Sequence, residues 1–111
     1  MAHNNRGNTY NSKGDYDRAI ADLNQAIRLD PNYADAYNNR GNTYNSKGDY
    51  DRAIADLNQA IRLDPNFANA HLNRGVAYYG KGDRNRARAD WIRALELDPN
   101  NQVARNNLAN Y

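Results

Sequence analysis

The side chains that could do chemistry in this sequence are aspartates, two histidines and a long series of asparagines. The aspartates come in a set that repeats along the chain: Asp15, Asp17 and Asp22, then Asp49, Asp51 and Asp56. Acid–base catalysis needs groups that converge on one site, whereas repeated copies spread along a chain are typical of solvated loop and helix positions. The chain has no cysteine, so thiolate nucleophiles and cysteine-rich zinc sites are excluded. These residues predict no enzyme and no cofactor.

The asparagines carry more information, and they point to binding. With one serine they form a set, Asn4, Asn5, Asn8, Asn11 and Ser12, that recurs as Asn38, Asn39, Asn42, Asn45 and Ser46. In a third copy the same positions hold Leu72, Asn73, Val76, Tyr79 and Gly80. Spacings of three and four place Asn5, Asn8 and Ser12 on one stripe of a helix. An Asn side chain offers donors and an acceptor together, which suits the N–H and C=O groups of an extended peptide. The alternative is that they are tolerated surface residues, but a surface without a function would more naturally carry the better helix formers Glu, Lys or Ala.

Three tandem units must position these side chains. Residues 2–35 and 36–69 differ at three positions, and residues 70–103 keep the same 34-residue period with looser identity. Within each unit a Gly-Asp pair separates two helices, and Asp-Pro-Asn ends the unit because proline cannot continue a helix. The predicted ends of the second helices are Leu29, Leu63 and Leu97, and the predicted N-caps that follow are Asn32, Asn66 and Asn100. A short terminal helix is expected over residues 101–110.

Small residues recur at fixed places in the units. Glycine inside a helix costs about 1 kcal/mol relative to alanine, so its recurrence at Gly7, Gly41 and Gly75 predicts a close approach of two helices. Six positions are shared by the three units: Gly7, Tyr10, Ala19, Leu23, Ala26 and Pro31; Gly41, Tyr44, Ala53, Leu57, Ala60 and Pro65; Gly75, Tyr78, Ala87, Trp91, Ala94 and Pro99. This pattern, which covers residues 2–103, resembles the signature of the tetratricopeptide repeat (TPR) family.

The resemblance implies an all-α fold, a right-handed superhelical solenoid of helix-turn-helix repeats. One domain is expected over residues 1–111, with repeats at 2–35, 36–69 and 70–103 and a partial capping helix at 104–111. Two positions depart from the family pattern. Arg6, Arg40 and Arg74 stand where the family commonly has Leu, and we expect them to lie along the helix pair with the guanidinium in solvent. His3 and His71 stand where it commonly has Trp or another large residue. Since they lie two repeats apart and cannot share a metal, we interpret them as partly buried aromatic side chains.

In the TPR family the first helices of the repeats line a concave groove, so the resemblance implies a protein–protein interaction scaffold that binds an extended peptide or protein segment there. Asn5, Asn39 and Asn73 are expected to form a continuous column, similar to the asparagine ladder of O-GlcNAc transferases. Tyr79 is added because it replaces asparagine on a face that is otherwise polar. The candidate groove residues are Asn4, Asn5, Asn8, Asn38, Asn39, Asn42, Asn73 and Tyr79.

The carboxylate clamp of TPR co-chaperones is a narrower form of this function. It grips a C-terminal carboxylate with Lys, Asn, Asn, Lys and Arg, and this sequence matches it at Asn8 and Asn39. The three cations of the clamp fall on Asn4, Asn69 and Asn73. Because charge-assisted hydrogen bonds supply much of such recognition, a tight clamp is not expected.

Two other functions remain as alternatives. The near-identity of the first two repeats also suits a structural, self-assembling module, natural or designed, with no dedicated ligand. A monomer is expected, with end-to-end self-association as the alternative. RNA binding in the manner of pentatricopeptide repeats is weaker, since those repeats run at 35 residues and the net charge of +2 is too small for a nucleic-acid footprint. No signal peptide or apolar run of 18 residues is present, so no membrane partner is expected and a cytoplasmic location is favoured.

Overall fold

A computed structural model describes residues 15–110, and every regular element in that range is an α-helix. The helices are α1 Tyr16–Leu29, α2 Ala34–Lys47, α3 Tyr50–Leu63, α4 Ala68–Gly80, α5 Arg84–Leu97 and α6 Gln102–Ala109. Helix α1 is the second helix of the first repeat, α2 and α3 form the second repeat, α4 and α5 form the third, and α6 is terminal. The all-α solenoid predicted from the sequence is confirmed, and the second helices end at Leu29, Leu63 and Leu97 as predicted.

The turn inside each repeat follows from the Gly-Asp pair. Gly48 has a φ of 81° and Gly82 a φ of 87°, the left-handed conformation that ends a helix and that glycine adopts without steric cost. The next residue, Asp49 or Asp83, is the N-cap of the second helix, and its carboxylate accepts the backbone N–H of the residue three positions later. Two short motifs in the sequence therefore fix where the chain reverses.

The turn between repeats differs from its prediction by one residue. The backbone N–H of Asn32 donates to the Asp30 carboxylate over 3.1 Å, which closes the Asp-Pro-Asn turn before the helix begins. The N-caps of α2 and α4 are therefore Tyr33 and Phe67, neither of which caps with its side chain. The N-cap of α6 is Asn101, whose side chain accepts from Ala104. The prediction of Asn32, Asn66 and Asn100 as N-caps was wrong, because the Asp-Pro-Asn turn continues for one more residue before each helix begins.

Helices within a repeat approach closely at the glycine that recurs in the first helices. A Cβ atom placed on Gly41 would lie 2.6 Å from Cγ of Leu57, and one on Gly75 would lie 2.5 Å from Nε1 of Trp91. Leu57 is fully buried, so it has little room to move aside. The predicted packing role of these glycines is confirmed.

The stack curves with the first helices on its inner side. Helix α2 contacts α4 directly, and each second helix packs on the first helix of the following repeat. The second helices of successive repeats make at most slight contact with each other. Since elements on the inside of a curved stack lie closer together than those on the outside, α2 and α4 line the concave face.

An arginine in each first helix joins three helices. Arg40 Nε and Nη2 donate to the two carboxylate oxygens of Asp56 on α3 over 2.7 and 2.6 Å, and its Nη1 donates to Asn24 Oδ1 on α1 over 2.8 Å. Arg74 repeats the arrangement with Asp90 on α5 and Asn58 on α3. Each guanidinium thus closes its own repeat and binds it to the preceding one.

These contacts correct two expectations. The guanidinium of Arg40 does not point into solvent, since its side chain is only 20% exposed, and Asp22, Asp56 and Asp90 are buried rather than solvated. A bidentate hydrogen bond fits the planar guanidinium to the carboxylate, which makes the burial of both charges tolerable. The hydrogen bond to Asp56 raises the pKa of Arg40 further above its ordinary value, against the opposing effect of burial. The arginine therefore stays charged at any physiological pH.

Substituting Asp56→Asn should lower the free energy of unfolding by about 3 kcal/mol, because removal of one partner of a buried ion pair costs about 3–5 kcal/mol and the arginine here is partly exposed. Asp51→Asn on the same helix is the matched control. Its ion pair with Lys81 is exposed, so the loss should stay below about 1 kcal/mol. Urea unfolding followed by circular dichroism measures both. Equal losses in the two variants would show that the Arg40–Asp56 pair does not stabilise the stack.

Candidate functional site

The concave surface is formed by one exposed row on each first helix. On α2 the row is Asp35, Asn39, Asn42 and Ser46, and on α4 it is Asn69, Asn73, Val76 and Gly80. Spacings of four, three and four residues keep each row on one face of its helix. Asn42 and Ser46 are exposed and Asn39 and Asn73 are half-buried, while Gly41 on the other side of α2 is buried against α3. We call these eight residues the groove floor.

Hydrogen bonds between asparagines join the two rows. Asn73 Nδ2 donates to Asn38 Oδ1 over 3.0 Å, and Asn45 Nδ2 donates to the main-chain oxygen of Asn73 over 2.9 Å. Asn38 itself is only 8% exposed. The sequence predicts a column of asparagines that passes through Asn39 and Asn73. In the structure the side chain of Asn73 bonds instead to the buried Asn38, one residue before Asn39. Asn38 lies beneath the groove floor, where it supports Asn73.

The other predicted residues fall at different depths. Asn39 and Asn42 lie on the groove floor, whereas Tyr79 lies beside it and is 41% exposed. The predicted residues Asn4, Asn5 and Asn8 are outside the residues that the structure describes. His71 is buried, in agreement with its interpretation as an aromatic packing residue, and its Nε2 lies 3.1 Å from the main-chain oxygen of Pro65. Within residues 15–110 no three histidine or acidic side chains are grouped to hold a metal ion.

An open cavity of about 240 Å³ continues the groove floor at its C-terminal end, between α4, α5 and α6. We call it the C-terminal pocket, and its lining residues are Val76, Tyr79, Trp91, Asn107 and Asn110. The rings of Tyr79 and Trp91 are 5.8 Å apart, and the indole N–H donates to the main-chain oxygen of Leu72 over 3.2 Å, which fixes its orientation. Sequence reasoning found Tyr79 but missed the rest. The signal for them was the replacement of Asn42 and Leu57 by Val76 and Trp91 in the third repeat.

The family of this chain follows from comparison with known proteins. A family model described as TPR repeat matches residues 7–45 and 41–82, and one described as tetratricopeptide repeat matches residues 68–101. Together they span the three units read from the sequence. The chain belongs to the tetratricopeptide repeat family. A comparison with curated proteins finds no match.

Solved structures agree with this assignment. The first TPR domain of human RPAP3 superposes with a TM-score of 0.94 at 31% identity, covering 97% of this chain and 85% of that one. The first TPR of Spaghetti (RPAP3), bound to the HSP90 peptide SRMEEVD, gives 0.93 at 31% identity over 98% and 86% of the two chains. The second TPR domain of human RPAP3, in complex with the HSP70 peptide SGPTIEEVD, gives 0.89 at 33% identity over 97% and 90%.

No helix among the described residues is long and apolar enough to cross a membrane.

A double-mutant cycle tests the bond beneath the groove floor. Asn38→Ala should lower the free energy of unfolding by about 1 kcal/mol, since it removes a partly buried hydrogen bond. Combined with Asn73→Ala, it should show a coupling energy of about 0.5–1 kcal/mol. The control cycle pairs Asn73→Ala with Asn42→Ala. Asn42 lies on α2 like Asn38 but is exposed, so the effects of these two substitutions should be additive. Additivity in both cycles would mean that Asn38 does not hold Asn73 in place.

Proposed function

We propose that this chain is a non-enzymatic protein-interaction module that binds an extended peptide or protein segment along the groove floor. The observation that carries the proposal is the row of uncharged polar side chains on the concave face of α2, the half-buried Asn39 and the exposed Asn42 and Ser46. Two of the related TPR domains were solved with short peptides bound, which supports peptide binding by this chain. The buried aspartates do not favour an enzymatic function, because the carboxylates of Asp56 and Asp90 already accept hydrogen bonds from arginines.

The chemistry of the floor suits recognition of a peptide backbone. A carboxamide donates through its nitrogen and accepts through its oxygen, so one Asn can pair with both the C=O and the N–H of an extended chain. Neutral hydrogen bonds in a wet groove each add little net free energy, about 0.5–1.5 kcal/mol. We therefore expect modest affinity, with dissociation constants on the order of micromolar, and tolerance of many side chains.

Selection from a random peptide library tests this proposal on three proteins. The wild type should enrich peptides, and the Asn39→Ala, Asn42→Ala double variant should lose most of them because two exposed amides of the floor are gone. The matched control is Asn32→Ala with Asn66→Ala, which removes two exposed amides from the turns between repeats and should select like the wild type. Each variant is first checked by circular dichroism for its helices and its thermal midpoint.

The contrary outcomes separate the alternatives. Equal enrichment by all three proteins would place peptide binding elsewhere than on Asn39 and Asn42. No enrichment by any of them, together with particles that grow with concentration in light scattering, would instead support the self-assembling module.

A second prediction concerns the end of the peptide. Asn69 stands where the carboxylate clamp has a cation, and it is exposed on the groove floor. SRMEEVD with a free C-terminus and with an amidated one should therefore bind the wild type within about twofold of each other. Asn69→Lys should create a preference of about tenfold for the free acid, since one charge-assisted hydrogen bond contributes about 1.5–3 kcal/mol. Isothermal titration calorimetry measures all four pairs. A strong preference for the free acid in the wild type would show that a clamp operates without these cations.

A further inference from the structure

Three of the substitutions that distinguish the third repeat from the second lie together in space. The residues that differ around the C-terminal pocket are Val76 for Asn42, Tyr79 for Asn45 and Trp91 for Leu57. Each change replaces a polar or smaller side chain by an apolar or larger one. All three line the same cavity, although they come from two helices. The second repeat therefore shows what this part of the groove is like without the substitutions.

The substitution at Tyr79 explains why the cavity opens. In the second repeat Asn45 donates to the main-chain oxygen of Asn73, which ties the inner helices α2 and α4 together. Tyr79 holds the equivalent position beside α6, and its ring lies against Trp91. The cavity lies between Tyr79 on α4 and Asn107 on α6, and Asn107 is the counterpart of Asn73. An amide bridge between inner helices has been exchanged for an aromatic wall.

We propose that the C-terminal pocket is an anchoring subsite for a large apolar side chain of the segment bound on the groove floor, next to an acidic residue of that segment. This inference rests on the proposed function and specifies which peptide segments the groove selects. An apolar cavity of about 150 Å³ holds a benzene molecule, so a cavity of about 240 Å³ is large enough for a leucine or phenylalanine side chain. The amides of Asn107 and Asn110 at the α6 side can pair with the peptide backbone on either side of the anchor.

Charge beside the pocket gives the second part of the specificity. The Arg84 guanidinium lies 5.5 Å from the centroid of the Tyr79 ring. The second repeat has Tyr50 and Asp51 where the third has Arg84 and Asn85, so this end of the groove gains a positive charge and loses a negative one. Among the described residues no carboxylate forms an ion pair with Arg84. A carboxylate side chain adjacent to the apolar anchor is the complementary group.

Three synthetic peptides with acetylated and amidated ends test the inference: GSLDSG, GSSDSG and GSLKSG. Trp91 is the only tryptophan of the chain, so its fluorescence reports on the pocket directly, and amide chemical shifts separate the pocket from the groove floor. GSLDSG should bind wild type about tenfold more tightly than GSSDSG, because leucine leaves water for the pocket. It should bind several-fold more tightly than GSLKSG, and salt should reduce that difference.

The double variant places the asparagines of the second repeat at the equivalent positions of the third. Val76→Asn with Tyr79→Asn should abolish the roughly tenfold preference for leucine, so that GSLDSG and GSSDSG bind this variant equally. Arg84→Gln should remove the preference for aspartate over lysine and keep the preference for leucine. If the double variant does not fold, Tyr79→Asn alone and the chemical-shift map of the wild type give the same decision.

The outcomes distinguish this inference from the proposed function. Peptides that shift the resonances of Asn39 and Asn42 with no preference for leucine would overturn the pocket and leave the groove standing. Shifts at Tyr79 and Trp91 with none at Asn39 and Asn42 would retain the pocket and contradict binding along the α2 side of the floor. An unchanged leucine preference in the folded double variant would overturn the pocket as its source.

Discussion

In the second and third repeats, the bidentate contact between an arginine of the first helix and an aspartate of the second holds the repeat together and sets its place in the stack. Arg40 donates to both oxygens of Asp56, and its remaining nitrogen reaches Asn24 in the preceding repeat. A solenoid has no global core, so its stability depends on contacts inside a repeat and with the nearest neighbours. Here one side chain supplies both kinds of contact. The planar geometry of the guanidinium also makes the contact directional. A leucine at that position would make no directional contact.

The remaining packing is consistent with this polar centre. Gly41 lets α2 approach Leu57, and Ala53, Leu57 and Ala60 are fully buried beside the ion pair. The close approach excludes water from the carboxylate, which strengthens its hydrogen bonds but makes an unpaired charge costly. Glycine and arginine are adjacent in the sequence, so the residue that permits the approach and the residue that exploits it are placed by the same helical turn.

Local signals predicted the helices, and contacts between distant residues limited the rest. Proline and the Gly-Asp pairs act on their own backbone, so the helix ends at Leu29, Leu63 and Leu97 followed from the sequence. The burial of Asp56 did not, because its partner is 16 residues away and a charged residue in a pattern is normally assigned to solvent. Helical spacing found the face that carries Asn39 and Asn42. It could not tell that Asn73 bonds to Asn38, since that bond joins residues 35 apart in sequence and depends on how α2 and α4 pack.

The polar seam of arginines and the inner seam of asparagines are independent, which allows binding to change while the scaffold stays constant. Arg74 and Asp90 repeat the contact of Arg40 and Asp56 with similar distances, although the third repeat has changed much of its inner surface. At the position of Asn45 an amide closes the gap between inner helices, and at Tyr79 an aromatic ring leaves it open. Together with Val76 and Trp91, this position distinguishes the closed polar floor of the second repeat from the apolar pocket of the third. Near-identical repeats can therefore present different chemistry to a peptide along one continuous groove.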